Sequence, residues 1–145
     1  MRRSLAVSTA VAILLAVGAA LPRANGGVTY IPAEQVTAAF AKGAVLLNQG
    51  NYMIHASRRD VDGQAEVHVK DADIIYMLEG TTTFVTGGIV VSGRSTEPDE
   101  IRGTAIEGGE TRTLSRGDII VVPKGTPHWF RSVSGPVLYY VVKVR

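Results

Sequence analysis

From Ala44 onward, apolar residues come in short bursts broken by Gly, Pro and Asp, and polar positions alternate inside many of the bursts. A period of two marks half-buried strands. The pattern predicts strands over residues 45–47, 52–58, 65–70, 74–78, 81–86, 89–91, 111–114, 119–122, 128–132 and 137–144. Many short strands at regular spacing imply an all-β sandwich or barrel. The one helical pattern lies earlier, over residues 31–43: Pro32 suits a first turn, Val36, Ala39 and Phe40 share a face, and Gly43 can stop the helix. Such a short helix would cover one end of the barrel or meet a partner subunit. Residues 92–109 are polar and rich in Gly, Pro and acids, which predicts a long loop or lid beside the barrel mouth.

The N-terminus differs from all of this. Arg2 and Arg3 precede a nearly unbroken apolar run over residues 5–20, in which Gly18 and Ala20 fit the small-residue pattern of a secretory cleavage site. A membrane anchor is the competing reading, although the run is a little short of the roughly 20 residues that span a bilayer. Arg2-Arg3 could open a twin-arginine export motif, but Ser4, Leu5 and Ala6 are a poor match to the rest of that motif. Residues 1–24 are therefore expected to be a cleaved signal peptide. That leaves 25–145 as a single domain, exported to the periplasm or beyond, with no membrane span after cleavage.

At 145 residues the chain suits one core and not two. Setting aside Arg2 and Arg3 from the 15 basic residues leaves thirteen against 13 acidic ones, so there is no basic footprint for a nucleic-acid partner. There is no cysteine, which excludes disulfides, thiolate metal sites, iron–sulfur clusters and cysteine nucleophiles.

Two segments carry chemistry. In EVHVKDADIIYMLEG, Glu66 and His68 stand two apart on a strand, project to one face and can reach one ion together, while Asp73 opens the next strand. In GDIIVVPKGTPHWF, the rigid corner from Pro123 to Pro127 fixes where His128 points. Two imidazoles and two carboxylates suit one divalent ion such as Zn, Fe, Mn or Ni, and not Cu(I). If all four bind an octahedral ion, two positions stay open. If one carboxylate stays back, the set becomes two histidines and one carboxylate with a spare acid as base. Asp73 is the weakest member, since KDAD ahead of a strand is also an ordinary capped turn.

These segments resemble the two sequence motifs of the cupins. The second motif is met at every spacing by Gly117, Pro123, Gly125 and His128, with Ser132 where the family often has Asn. In the first, His68, Asp73 and Gly80 fall at family positions, but Glu66 replaces the first His and Asp73 is shorter than the usual Glu. The resemblance implies a double-stranded β-helix, or jelly-roll, barrel with a metal held by Glu66, His68, Asp73 and His128, and commonly a homodimer. The Glu at the first position implies altered metal or chemistry.

Other features read as structural. His55 has no visible partner and is expected at the surface or in packing, Arg58-Arg59 as an exposed strand end and not an anion clamp, and Thr86-Gly87-Gly88 as a hairpin turn. Residues such as Tyr52, Met53, Ile75, Met77, Trp129, Phe130, Tyr139 and Tyr140 are mostly core by default. No nucleophile elbow is present. Three functions stay open: a metal-dependent enzyme on a small oxygenated substrate (oxygenase, isomerase or lyase), a module that binds or senses a small ligand without turnover, and a degenerate structural barrel.

Overall fold

The computed structural model describes residues 27–145. The expected signal peptide lies outside the described residues. Among those described, no helix is long and apolar enough to cross a membrane. In chain order the elements are α1 (Ala33–Phe40), β1 (Ala44–Asn48), β2 (Tyr52–Arg59), β3 (Ala65–His68), β4 (Ala72–Thr86), β5 (Ile89–Val91), β6 (Arg94–Glu97), β7 (Glu100–Gly103), β8 (Ala105–Glu107), β9 (Glu110–Ser115), β10 (Ile119–Val122) and β11 (His128–Val144). The all-β barrel with one short helix is thus observed.

Two long strands organise it. β11 has 17 residues and β4 has 15, and they pair antiparallel along most of their length. At roughly 3.3 Å per residue each would be about 50 Å long if straight, more than a domain of this size can hold. Both therefore bend at the same place. Gly80 sits at φ +80° and Gly135 at φ +76°, and the register between β4 and β11 shifts between Ser134 and Leu138. A side chain at Gly80 would put its Cβ 2.4 Å from the Pro136 carbonyl oxygen, so this corner needs glycine. The sequence pattern predicts separate strands on either side of Gly80 and of Gly135-Pro136; each pair is one bent strand.

The sheet runs β1-β2-β11-β3-β7-β6, with β4 joining β11 to β9 and β10, and β5 pairs with β8 as a separate ribbon. Ile75, Met77, Phe84, Leu114, Val122, Phe130, Val137, Tyr139 and Val141 form the core. Phe84 meets Phe130 edge-on at 4.7 Å, and Phe130 stacks on Tyr139 at 4.8 Å. Helix α1 lies over β1 and β2 and sets Phe40 against Tyr140 at 5.1 Å.

The expected long loop at 92–109 is overturned. It holds β6, β7 and β8, and β7 pairs with β3 through Ala65↔Gly103, Glu66↔Arg102, Val67↔Ile101 and His68↔Glu100. The difference has a physical cause: β6 is exposed along its whole length, so it shows no apolar alternation.

Candidate metal centre

Strand alternation assembles the site. On β2, Met53, His55, Ser57 and Arg59 follow one another at a spacing of two and line a cavity of about 180 Å³. β3 adds Glu66 and His68, β4 adds Asp73 and Ile75, β7 adds Arg102, and β11 adds His128, Phe130, Tyr139, Val141 and Lys143. The polar members are cross-strand partners: Glu66 stands opposite both His128 and Arg102, His68 opposite Glu100, and Asp73 opposite Lys143.

All four residues expected from sequence meet in this one cavity. Donor atoms of Glu66, His68 and His128 lie within 4.8 Å of one another. Asp73 sits beside that trio, its Oδ2 3.3 Å from His68 Nε2 and 3.7 Å from His128 Nε2, while its Oδ1 accepts a 2.8 Å hydrogen bond from Lys143. Glu66, Asp73 and His128 are buried.

The other nitrogen of each imidazole is occupied. His68 Nδ1 is 2.5 Å from Glu100 Oε2, and His128 Nδ1 is 3.2 Å from the Thr126 carbonyl oxygen. A carbonyl only accepts, so Nδ1 of His128 carries the proton and its neutral ring turns a bare Nε2 to the cavity. Glu100 holds the His68 ring from behind in the same way, while His68 Nε2 faces Asp73 Oδ2 at 3.3 Å. A carboxylate or carbonyl behind the ring is how proteins orient metal-binding histidines. On donor chemistry and mutual distance, these residues fit a divalent ion.

Electrostatics distinguish the two rings. Burial holds the His128 pKa below the ordinary value, with Glu66 and Asp73 only partly offsetting it, so the ring is neutral at pH 7. For His68, burial also works downward, but the hydrogen bond and charge of Asp73 outweigh it and the pKa is raised. Burial would raise Asp73, yet His68 and Lys143 together hold it below the usual carboxylate range.

The Cupin family model matches residues 29–145. The chain belongs to the cupin family. No curated protein sequence matches this cupin significantly. Among solved structures it is similar to BH2720 from Bacillus halodurans (14% identity, 83% of each chain covered, TM-score 0.57). It is also similar to KdgF from Halomonas sp. (18% identity, 70% of this chain and 77% of that one, TM-score 0.52). A third is hydroquinone 1,2-dioxygenase from Sphingomonas sp. TTNP3 (14% identity, 70% and 64%, TM-score 0.52). At such identities the likeness concerns the fold.

Two residues of this cupin's site escape a reading of the sequence alone. Glu100 and Arg102 lie in the stretch expected to be a loop; the available signal is the alternation Glu-Ile-Arg, which matches Glu-Val-His on β3. The expectation for Arg58-Arg59 is corrected in half. Neighbours on a strand face opposite ways, so Arg58 turns outward to pair with Asp60 while Arg59 turns into the cavity. There its guanidinium carbon lies 4.7 Å over the Phe130 ring, and Nη2 is 3.7 Å from Glu66 Oε1. His55 also lines the cavity, half-buried and 2.8 Å from Ser57 Oγ, apart from the three-residue group.

Proposed function

We propose that this cupin is a metal-dependent enzyme acting on a small oxygenated organic molecule. The observation that carries the reading is the convergence of Glu66, His68 and His128 in a cavity, with both imidazoles locked from behind. Glu66, His68 and His128 would hold one divalent ion of the Zn, Fe, Mn or Ni class, and the ion would acidify or polarise an oxygen bound to it. Asp73, a fourth ligand in the sequence reading, is assigned here as the nearby base. Lys143 holds its Oδ1, and once an ion occupied His68 Nε2 its Oδ2 would be released to take a proton from substrate or water. Ile75, Phe130 and Val141 wall the cavity and limit water around the reacting atoms. An oxygenase, isomerase or lyase reaction is compatible with this set.

The test is metal content by elemental mass spectrometry of the purified protein beside Glu66→Ala and His128→Ala. Near-stoichiometric metal that falls in both variants supports the centre. A protein that stays metal-free after anaerobic incubation with Zn, Mn, Fe(II) and Ni refutes it. Turnover lost in a folded His128→Ala variant separates an enzyme from a binding module, which would lose only ligand-induced thermal stabilisation.

Export and a homodimer belong to the same proposal. Export is supported by Arg2, Arg3 and the apolar run over 5–20, and N-terminal sequencing of the cellular protein should find a start near residue 25. A dimer is supported by the exposed Tyr76, Ile119 and Val121 of the paired strands β4 and β10, and light scattering should give twice the chain mass.

A further inference from the structure

The cations around the trio have no role in holding a metal. Arg59, Arg102 and Lys143 all line the cavity. Opposing them are Glu66 and Asp73 in its wall and Glu100 beside it. Three cations and three carboxylates balance. A divalent ion held by neutral imidazoles and Glu66 then adds two positive charges that no side chain of the site meets. Uncompensated charge in a partly buried cavity is costly, and an anionic ligand removes the cost.

The three cations are not equally committed. Lys143 donates to Asp73 at 2.8 Å. Arg102 is within ion-pair distance of two acids, with Nη2 3.2 Å from Glu66 Oε2 and 2.8 Å from Glu100 Oε1. Arg59 is the loosest: its one carboxylate is 3.7 Å away, and its buried Nε has no hydrogen-bond partner among the described residues. Its position is nonetheless built. Phe130 supports the guanidinium plane at 4.7 Å, and Gly63 leaves it room, since a Cβ there would lie 2.7 Å from Arg59 Nη1. The Gly63 carbonyl accepts from Trp129 Nε1 at 2.7 Å and its N–H donates to the Phe130 carbonyl at 2.8 Å, so the gap is fixed. A supported guanidinium with no carboxylate within hydrogen-bond distance is a receptor for a planar, two-oxygen anion, which its terminal N–H groups can meet. Tyr139 beside it is kept a neutral phenol by burial and can donate to the same anion.

We propose that the ligand is a small carboxylic acid, its carboxylate received by Arg59 against Phe130 and its other oxygenated end turned to Glu66, His68 and His128. The cavity, about 180 Å³, is below the roughly 300 Å³ at which drug-sized pockets begin, so the acid is short. This inference rests on the metal-centre reading and deepens it.

The experiment is thermal stabilisation and calorimetric titration of the zinc-reconstituted protein with three acids and their amides: acetate and acetamide, L-lactate and lactamide, malonate and malonamide. Sulfate serves as a non-planar anion. At least one acid should stabilise the protein where its amide and sulfate do not. Arg59→Gln should weaken that acid by at least about tenfold with zinc content unchanged, and Arg59→Lys, which keeps charge without the fork, should recover part of the loss. No preference for any acid over its amide, equal stabilisation by sulfate, or unaltered acid affinity in Arg59→Gln would each overturn the proposal. If Arg59→Gln fails to fold, Arg59→Lys decides alone, and unaltered affinity there overturns the bidentate assignment. A protein that takes up no zinc refutes the metal reading separately. The same acid–amide comparison on that metal-free protein then still supports or overturns the role of Arg59.

Discussion

Replacing Glu100 by Gln keeps the side-chain shape and removes one charge from behind His68. In the parent, Glu100 Oε2 is 2.5 Å from His68 Nδ1, and with only 16% of the side chain exposed this bond is little screened by solvent. Losing it frees the ring to turn and lowers the basicity of the nitrogen that would face a metal. Loss of such an outer carboxylate typically costs tenfold to a hundredfold in metal affinity, about 1.4 to 2.8 kcal/mol. The upper half of that range is expected here. Arg102 now divides its attraction between Glu100 and Glu66, at 2.8 and 3.2 Å, and with Glu100 neutral it would draw Glu66 away from the cavity. The assay is zinc titration in competition with a chromophoric chelator at fixed pH, with Glu97→Gln, an exposed acid on β6, as control. Glu100→Gln should bind zinc about fiftyfold more weakly, while Glu97→Gln should match the parent. A Glu100→Gln affinity within about twofold of the parent would refute the argument that this carboxylate orients a metal-binding His68.

Other parts of the molecule give further expected outcomes. Gly80→Ala should destabilise by about 2–4 kcal/mol in urea melts, because the left-handed backbone penalty adds to a Cβ placed 2.4 Å from a backbone oxygen that cannot give way; a loss below about 1 kcal/mol would show that the corner relaxes freely. Phe84→Ala, at a fully buried ring touching Phe130, should cost about 3–5 kcal/mol by the same measurement. Acidity should act in opposite senses with and without metal. In the metal-free protein, the raised pKa of His68 means that its contribution is complete below about 6.5 and is lost as pH rises through the folded-state value. The lowered pKa of Asp73 means that its share is present above about 3.8 and is lost as pH falls through its own folded-state value. Denaturation in the presence of chelator should therefore show the largest gap between parent and His68→Gln between about pH 4 and 6.5, and zinc affinity should instead rise with pH as the metal displaces the His68 proton. A gap that widens above neutral pH would contradict the assignment.

The sequence determined by itself whatever depends on local pattern. Alternation placed most strands to within a residue or two, since a strand with one buried face repeats every two positions. The corner motif from Gly117 to His128 and the pair Glu66 and His68 were legible because glycine, proline and strand parity act within a few residues. The four side chains named from strand parity and from the resemblance to the cupin motifs line one cavity. Tertiary structure decided the rest. Glu100 and Arg102 reach the site from a strand whose polar composition hides it, and their roles exist only because β7 pairs with β3 in a register that sets Glu100 opposite His68 and Arg102 opposite Glu66. Lys143 holds Asp73 from 70 residues away in the chain, and Arg59 reads as an exposed strand end because its alternation points inward only after β2 docks beside β11. Register between distant strands is a property of the whole sheet. A chain read one segment at a time contains the residues of this charged ring but not their pairing, and the pairing makes them a site.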